Sequence, residues 1–432
     1  MLFTINLSLL CVKIVSEKIK DNVVAKVRKF EIDNPKSPWI FYIFYIIVFC
    51  GGAIQGSFMG LYLTEMGVPV KTLGVINGIT QLISLVTLPI LGRIADRAPS
   101  KNLVMDIGYI ITIVIFSAFM IVRNITTIVL LRFVYSIIAT PLGSVYDTIA
   151  MEQAKLRGWD YQPMRWMGTL GYSVMSYVSG FLLNGDIKTI FPIMIICYIA
   201  TFIVGLMLPV SPRTMRVVAS PNEPRNKESV YSVLKDRQVR NVLIMFFIYS
   251  LAGTTNNTYF GNYTQQLGGT LTMIGIAHAI LGFSEFPFHL GPGKRWLERI
   301  GLERSMVMVL LVGTFRWTIC ALTNNATVLM WTMVLNGAML VPVIIGLSKF
   351  LFEHAPEGLK VTAQTSLRST VSVIAMLISD FGGSAVFHMF EKMNLNPYKG
   401  MYSLMIPLSL AGAIIGMTSL KNREASEEAE TN

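Results

Sequence analysis

Residues 281–301 read LGFSEFPFHLGPGKRWLERIG, in which Glu285 sits inside an apolar run that ends in a basic cluster. An acid near the centre of a membrane helix costs on the order of 2.5–3.5 kcal/mol on insertion scales, so this placement calls for a partner, a water-filled cavity or a function. Pro287 follows two residues later. It removes a backbone donor and frees a carbonyl one turn back, which predicts a bend beside the acid.

The surroundings of that stretch decide the fold class. The chain has 432 residues, 53% hydrophobic and 14% charged, and windows of helix-spanning length with one charge or none recur from Phe41 to Leu420. Its mean hydropathy is +0.56. A soluble chain of this size would show amphipathic periodicity, and a β-barrel would alternate polar and apolar residues. The expectation is an all-α membrane protein with twelve transmembrane helices in two six-helix halves. The spans fall near 39–62, 72–92, 103–122, 126–150, 164–184, 189–209, 241–263, 271–292, 304–323, 326–349, 362–386 and 400–420. Residues 1–38 form an N-terminal segment whose apolar part is too short to span, with its positive charge behind that part rather than ahead of it as in a signal peptide. The halves are then 39–209 and 241–420, joined by a polar, Pro- and Arg-rich linker at 210–240, with a tail at 421–432. A six-plus-six plan with a long central loop is that of many secondary carriers.

The net charge of +11 is a topology signal. With the N-terminus inside, 27 Lys and Arg fall on inner segments and 5 on outer loops. The positive-inside rule therefore places both termini, the linker and the basic cluster after Glu285 in the cytoplasm of a multi-pass protein of the cell (inner or plasma) membrane. The same distribution removes any need for a nucleic-acid partner. Cys11, Cys50, Cys197 and Cys320 lie in apolar surroundings without CxxC spacing and read as small buried residues, not metal or redox ligands. No nucleophile, metal or phosphate-loop constellation is present, so an enzyme is not expected. Gly56 with Gly60, and Gly74 with Gly78, have the spacing that lets helix backbones approach closely.

The loop after the second span reads GRIADRAPSK, residues 92–101. Gly92 allows a helix end to lie close to its neighbour, and Asp96, set among Arg97 and Lys101, is placed to pair across the inner face as a conformational latch. This stretch resembles the loop signature of the major facilitator superfamily, with Pro99 and Ser100 departing from it. The segment GKRWLERIG occupies the equivalent place in the second half. Within that superfamily the chain is similar to the oligosaccharide–proton symporters of the lactose permease type. Arg165-Trp-Met-Gly168-Thr-Leu-Gly171-Tyr172 resembles their fifth helix, Asp147 their fourth-helix acid, Glu285 their eighth-helix acid and Arg316 their ninth-helix arginine; Val341-Pro342 and Lys349 match the end of the tenth. The resemblance implies that Arg165, partnered by Asp147, holds sugar hydroxyls and that Tyr172 stacks on a sugar ring. It also implies a proton as coupling ion and no other cofactor. Gly337 and Leu340 stand where those symporters carry a histidine and a glutamate that handle the proton, and Phe288 stands where they have a ligand-binding asparagine. Glu285 therefore carries a larger share of that work here.

Arg132, Asp147, Arg165, Glu285, Arg316, Arg368 and Asp380 are charges that fall within spans. At about 3 kcal/mol each, they require pairing or a hydrated cavity. Glu285, Asp147 and Asp380 are the proton-coupling candidates. Arg165, Tyr172, Arg316 and the amide pair Asn256-Asn257 are the substrate-binding candidates, because hydroxylated ligands are read by such groups. The leading expectation is a proton-coupled uptake carrier for a small polar solute, a sugar, glycoside or nucleoside, working as a monomer in the bilayer. An exporter of the same fold is the alternative, although residues 164–184 lack the proline of the exporter signature. A non-transporting membrane sensor is the other.

Overall fold

A computed structural model describes residues 38–183, 186–210, 230–289, 295, 299–355 and 360–431. The N-terminal segment up to residue 37 and linker residues 211–229 lie outside the described residues, as does Cys11. Every regular element described is helical. The long helices are α1 Trp39–Glu65, α2 Leu73–Arg97, α3 Lys101–Ile121, α4 Ile125–Arg157, α5 Tyr161–Leu182, α6 Ile190–Leu206, α7 Arg237–Gln266 and α8 Leu271–Phe283. The short α9, Phe286–His289, continues α8 after a break, and α10 spans Leu302–Leu322. Then α11, Ala326–Trp331, passes through a 3-10 turn, Thr332–Leu335, into α12, Asn336–His354; α13 is Lys360–Lys392 and α14 is Pro397–Thr431. The helices start where the sequence supplies caps. Ser100, Asn124, Asp160, Asp236, Thr270 and Asn325 each accept a backbone N–H from the first turn that follows. Gly158, at φ 66°, closes α4 in the left-handed conformation that a side chain would strain.

Ten segments among the described residues are long and apolar enough to cross a membrane. The two further expected spans, α5 with 22 residues and α7 with 30, fail on hydropathy rather than on length. At 1.5 Å per residue they run about 33 Å and 45 Å. Their polarity is concentrated in Ser, Thr, Asn, Gly and Tyr, and α5 and α7 are the helices that carry Arg165, Tyr172, Asn256 and Asn257. The tail expected after residue 420 continues α14 as helix to Thr431.

The chain divides into two compact units, Met1–Val68 with Ile79–Ser220, and Pro69–Gly78 with Pro221–Asn432. In the first, α1 packs along α5 and α6, and α3 packs on α6 and α4. The α1–α5 approach depends on small residues: a Cβ at Gly171 would meet the carbonyl of Ile46, and one at Gly168 would enter the ring of Phe49 at 2.7 Å. Aromatic rings fill the rest of this core, with Phe116 stacked on Tyr198 and Phe119 on Phe191.

In the second unit α10 lies against α14 and α12, α7 against α13 and α14, and α12 against α13. The first residues of α2 also belong here. A Cβ at Gly74 would meet the backbone carbonyl of Asp380, Ser384 Oγ at 2.6 Å and Tyr259 Oη at 2.9 Å, and one at Gly78 would meet the ring of Phe381 at 2.7 Å. The GxxxG spacing of α2 thus seats its opening turns on α13. The Val75 N–H donates to Ser384 Oγ at 3.1 Å, and Lys71 pairs with Glu391 at 3.1 Å.

Candidate functional site

The break between α8 and α9 follows from Pro287. Without an N–H it leaves the carbonyl of Phe283 without its helical donor, and α8 ends at that residue. The chain turns through Ser284 and Glu285, with Glu285 N–H donating to Gly282 O at 3.2 Å and Phe288 N–H to Glu285 O at 3.1 Å. At the same level the 3-10 turn before α12 leaves the Gly337 N–H unused by the helix, and it donates to Ser284 Oγ at 2.8 Å. A Cβ at Gly337 would collide with the Ser284 carbonyl. Gly337 is therefore the glycine that lets two interrupted helices touch. Glu285 is 7% exposed beside this contact.

Next to it, within the second unit, a cavity of about 140 Å³ opens between α7, α8, α10 and α12. Asn256 and Asn257 line it from α7 together with Tyr249, Arg316 and Trp317 line it from α10, and Asn336 and Met339 from α12. Arg316, Asn256 and Asn257 were legible as candidates from sequence. Tyr249, Trp317 and Asn336 were not, since only the packing brings them to one space. Tyr249 lies within electrostatic reach of Glu285, Arg316 and Arg368. Glu285 itself is not among the lining residues.

Arg316 is 2% exposed. Its Nη2 faces Met333 Sδ at 2.8 Å, its Nη1 faces Met339 Sδ at 3.9 Å, and its Cζ lies 4.9 Å from the ring of Trp317. Thioether sulfur is a weak acceptor. Among the described residues no carboxylate pairs with this guanidinium, and its Nε has no acceptor. Trp317 is stacked on Tyr402, and its Nε1 likewise has no acceptor among the described residues. The Tyr402 hydroxyl donates to Asn256 Oδ1 at 3.0 Å, which engages the acceptor end of that amide.

Asp380, 2% exposed, lies elsewhere in the second unit, between α13, α7 and the start of α2. It accepts from Thr258 Oγ1 at 3.2 Å, and Thr258 Oγ1 in turn accepts from Asn77 Nδ2 at 3.3 Å. It does not line the cavity.

In the first unit Tyr45 donates to Asp147 Oδ1 at 2.6 Å and stands 3.5 Å from the hydroxyl of Tyr161. Arg165 sits with its guanidinium 4.4 Å over the ring of Phe49. The expected direct partnership of Asp147 with Arg165 is therefore not made: each has taken an aromatic neighbour, the acid a phenol and the base a ring face. Tyr172 places its hydroxyl 3.4 Å from where a Cβ on Gly56 would stand, so α1 and α5 converge here through a glycine.

The loop motif pairs within the first unit. Lys101 is bound closely to Glu152 of α4 and lies 3.7 Å from Asp96. Glu152, 51 residues away, carries no sequence signal for this role. Arg97 is exposed. Gly92 has open space where a Cβ would be, so the close approach expected of it is absent in this conformation.

Residues 38–394 match the model of the MFS_1 like family. The chain belongs to that family. A maltose permease of Geobacillus stearothermophilus is 23% identical over 325 residues, 75% of this chain and 81% of the relative. The uncharacterized transporter YwbF of Bacillus subtilis is 20% identical, over 80% and 85%. Among solved structures, the nucleoside transporter NupG superposes with a TM-score of 0.75 at 16% identity, covering 89% of this chain and 98% of that one. A peptide transporter POT superposes at 0.67 and 11%. This member of the MFS_1 like family is a secondary transporter with the major facilitator fold, and its relatives are carriers rather than enzymes.

Proposed function

We propose that this transporter takes up a small polar solute, a sugar, glycoside or nucleoside, by alternating access coupled to protons, with both termini cytoplasmic and a single copy as the working unit. The observation that carries this reading is the cavity where Arg316, Asn256, Asn257 and Asn336 meet the aromatic faces of Trp317 and Tyr249. Amide and guanidinium donors beside aromatic rings are the chemistry that recognises hydroxylated rings, and few polar groups in a largely apolar wall are typical of small-molecule sites. The substrates for which the maltose permease and the nucleoside transporter NupG are named fall in the same class. Arg165 and Tyr172 are the proposed ligand contacts of the first unit. The group of Gly92, Asp96, Arg97 and Lys101 is the proposed conformational latch.

Glu285 is the proposed coupling acid, one tyrosine away from the cavity, with Asp147 and Asp380 as the further candidates. In this cycle ligand binds while the Glu285 carboxyl holds a proton, and release of that proton on the inner side completes symport. Glu285→Gln fixes the neutral state. In proteoliposomes, concentrative uptake driven by a proton gradient is expected to fall at least tenfold while counterflow exchange persists. Concentrative uptake equal to that of the unaltered protein would remove Glu285 from the coupling step.

A further inference from the structure

The wall of the second-unit cavity offers donors out of proportion to acceptors. Arg316 brings a full positive charge that is 2% exposed, held against two thioether sulfurs and a ring face, with no carboxylate paired to it among the described residues. Trp317 Nε1 is a donor only, and Asn256 has its oxygen engaged by Tyr402. The remaining lining residues, Tyr249, Asn257 and Asn336 among them, are neutral. A buried cation of this kind is costly unless an opposite charge reaches it. Among the described residues none does.

We propose that the ligand supplies that charge, so that the substrate is a polyhydroxylated solute bearing one carboxylate, such as a sugar acid or uronide, with its carboxylate on Arg316. The proposal rests on the carrier reading above and narrows its substrate class. A planar guanidinium matches a carboxylate through two parallel hydrogen bonds. A single positive charge balances a monoanion, whereas a phosphate monoester, at about −1.5 to −2, would remain uncompensated. The hydroxyls then fall to Asn256, Asn257 and Asn336. The cavity volume of about 140 Å³ suits one sugar ring rather than two; pockets for drug-sized ligands run to roughly 300–1,000 Å³.

The test is isothermal titration of the purified full chain in detergent with D-glucuronate and D-galacturonate, each against its neutral uronamide, and with glucose 6-phosphate. At least one uronate is expected to bind on the order of tenfold to a hundredfold more tightly than its amide. Arg316→Gln is expected to abolish that preference, and Arg316→Lys to restore it in part. The comparison of acid with amide on the unaltered protein stands even if the variants fail to fold. Equal binding of acid and amide, binding of neither, or tighter binding of the phosphate overturns the assignment. Concentrative uptake of neutral sugars with no preference for acids leaves the carrier reading standing while this inference falls. No concentrative uptake of any hydroxylated solute sinks the carrier reading itself.

Discussion

Gly337 shows what one residue decides in this fold. Its N–H is bound by Ser284 Oγ and its missing side chain leaves room for the Ser284 carbonyl, so two helix interruptions meet at a point. Gly337→Ala must push these backbones apart, and overpacking of this kind costs typically 1–3 kcal/mol. Thermal unfolding in detergent is the measurement, with Gly382→Ala as the matched control because nothing lies within 4 Å of a Cβ there. The control is expected to be neutral or to gain by up to about 1 kcal/mol from helix propensity. Equal stability of the two variants would mean that the contact is not tight. At this scale the sequence was informative about chemistry and silent about company. Glu285 announced itself by its apolar neighbours and Arg316 by its place in a span, but nothing near Gly337 in the chain predicts that Ser284 will fill its space.

Between elements, the charges of the α2–α3 loop act unequally. Lys101 and Glu152 are mostly buried, with side chains 10% and 19% exposed, whereas Asp96 is 68% exposed. Removing one member of a buried pair strands the other, while an exposed pair is worth little. Lys101→Met is therefore expected to destabilise the protein by about 2–4 kcal/mol, and Asp96→Asn by less than about 1 kcal/mol. Chemical denaturation of the two variants separates them. If Asp96→Asn keeps its stability and loses transport, the motif works as a latch; if it keeps both, Lys101–Glu152 is a structural tie and Asp96 a bystander. The motif residues were readable from their order along the chain. Glu152 was not, because it reaches Lys101 only through the packing of α4 on α3. The pairing of Asp147 with Arg165 failed for a related reason. Opposite charges on adjacent helices suggested each other, yet Tyr45 and Phe49, both on α1, offered nearer partners.

Over the whole molecule, charge and hydropathy act on orientation. The excess of Lys and Arg on one set of loops predicts both termini on the cytoplasmic side. Reporter fusions that are active only in one compartment, placed after Leu267 and after Lys421, are expected to report opposite sides, and matching signals would refute the topology. The fold was legible because solid apolar runs admit few alternatives. The cavity was legible only in part. Asn256, Asn257 and Arg316 stand out as polar groups in spans, whereas Tyr249, Trp317 and Asn336 look like ordinary helix residues until α7, α10 and α12 are assembled.

The polarity of α5 and α7 also bears on how the protein is made. A segment that leaves the ribosome is judged for insertion on its own hydropathy, before the neighbours that will cover its amides have been synthesised. The second half opens with α7, whose Asn256, Asn257 and Asn262 count against it at that moment. Its stable residence in the bilayer therefore depends on α8 and later helices arriving to shield it. The polar groups proposed to meet the ligand are thus among those that make its assembly the more demanding step.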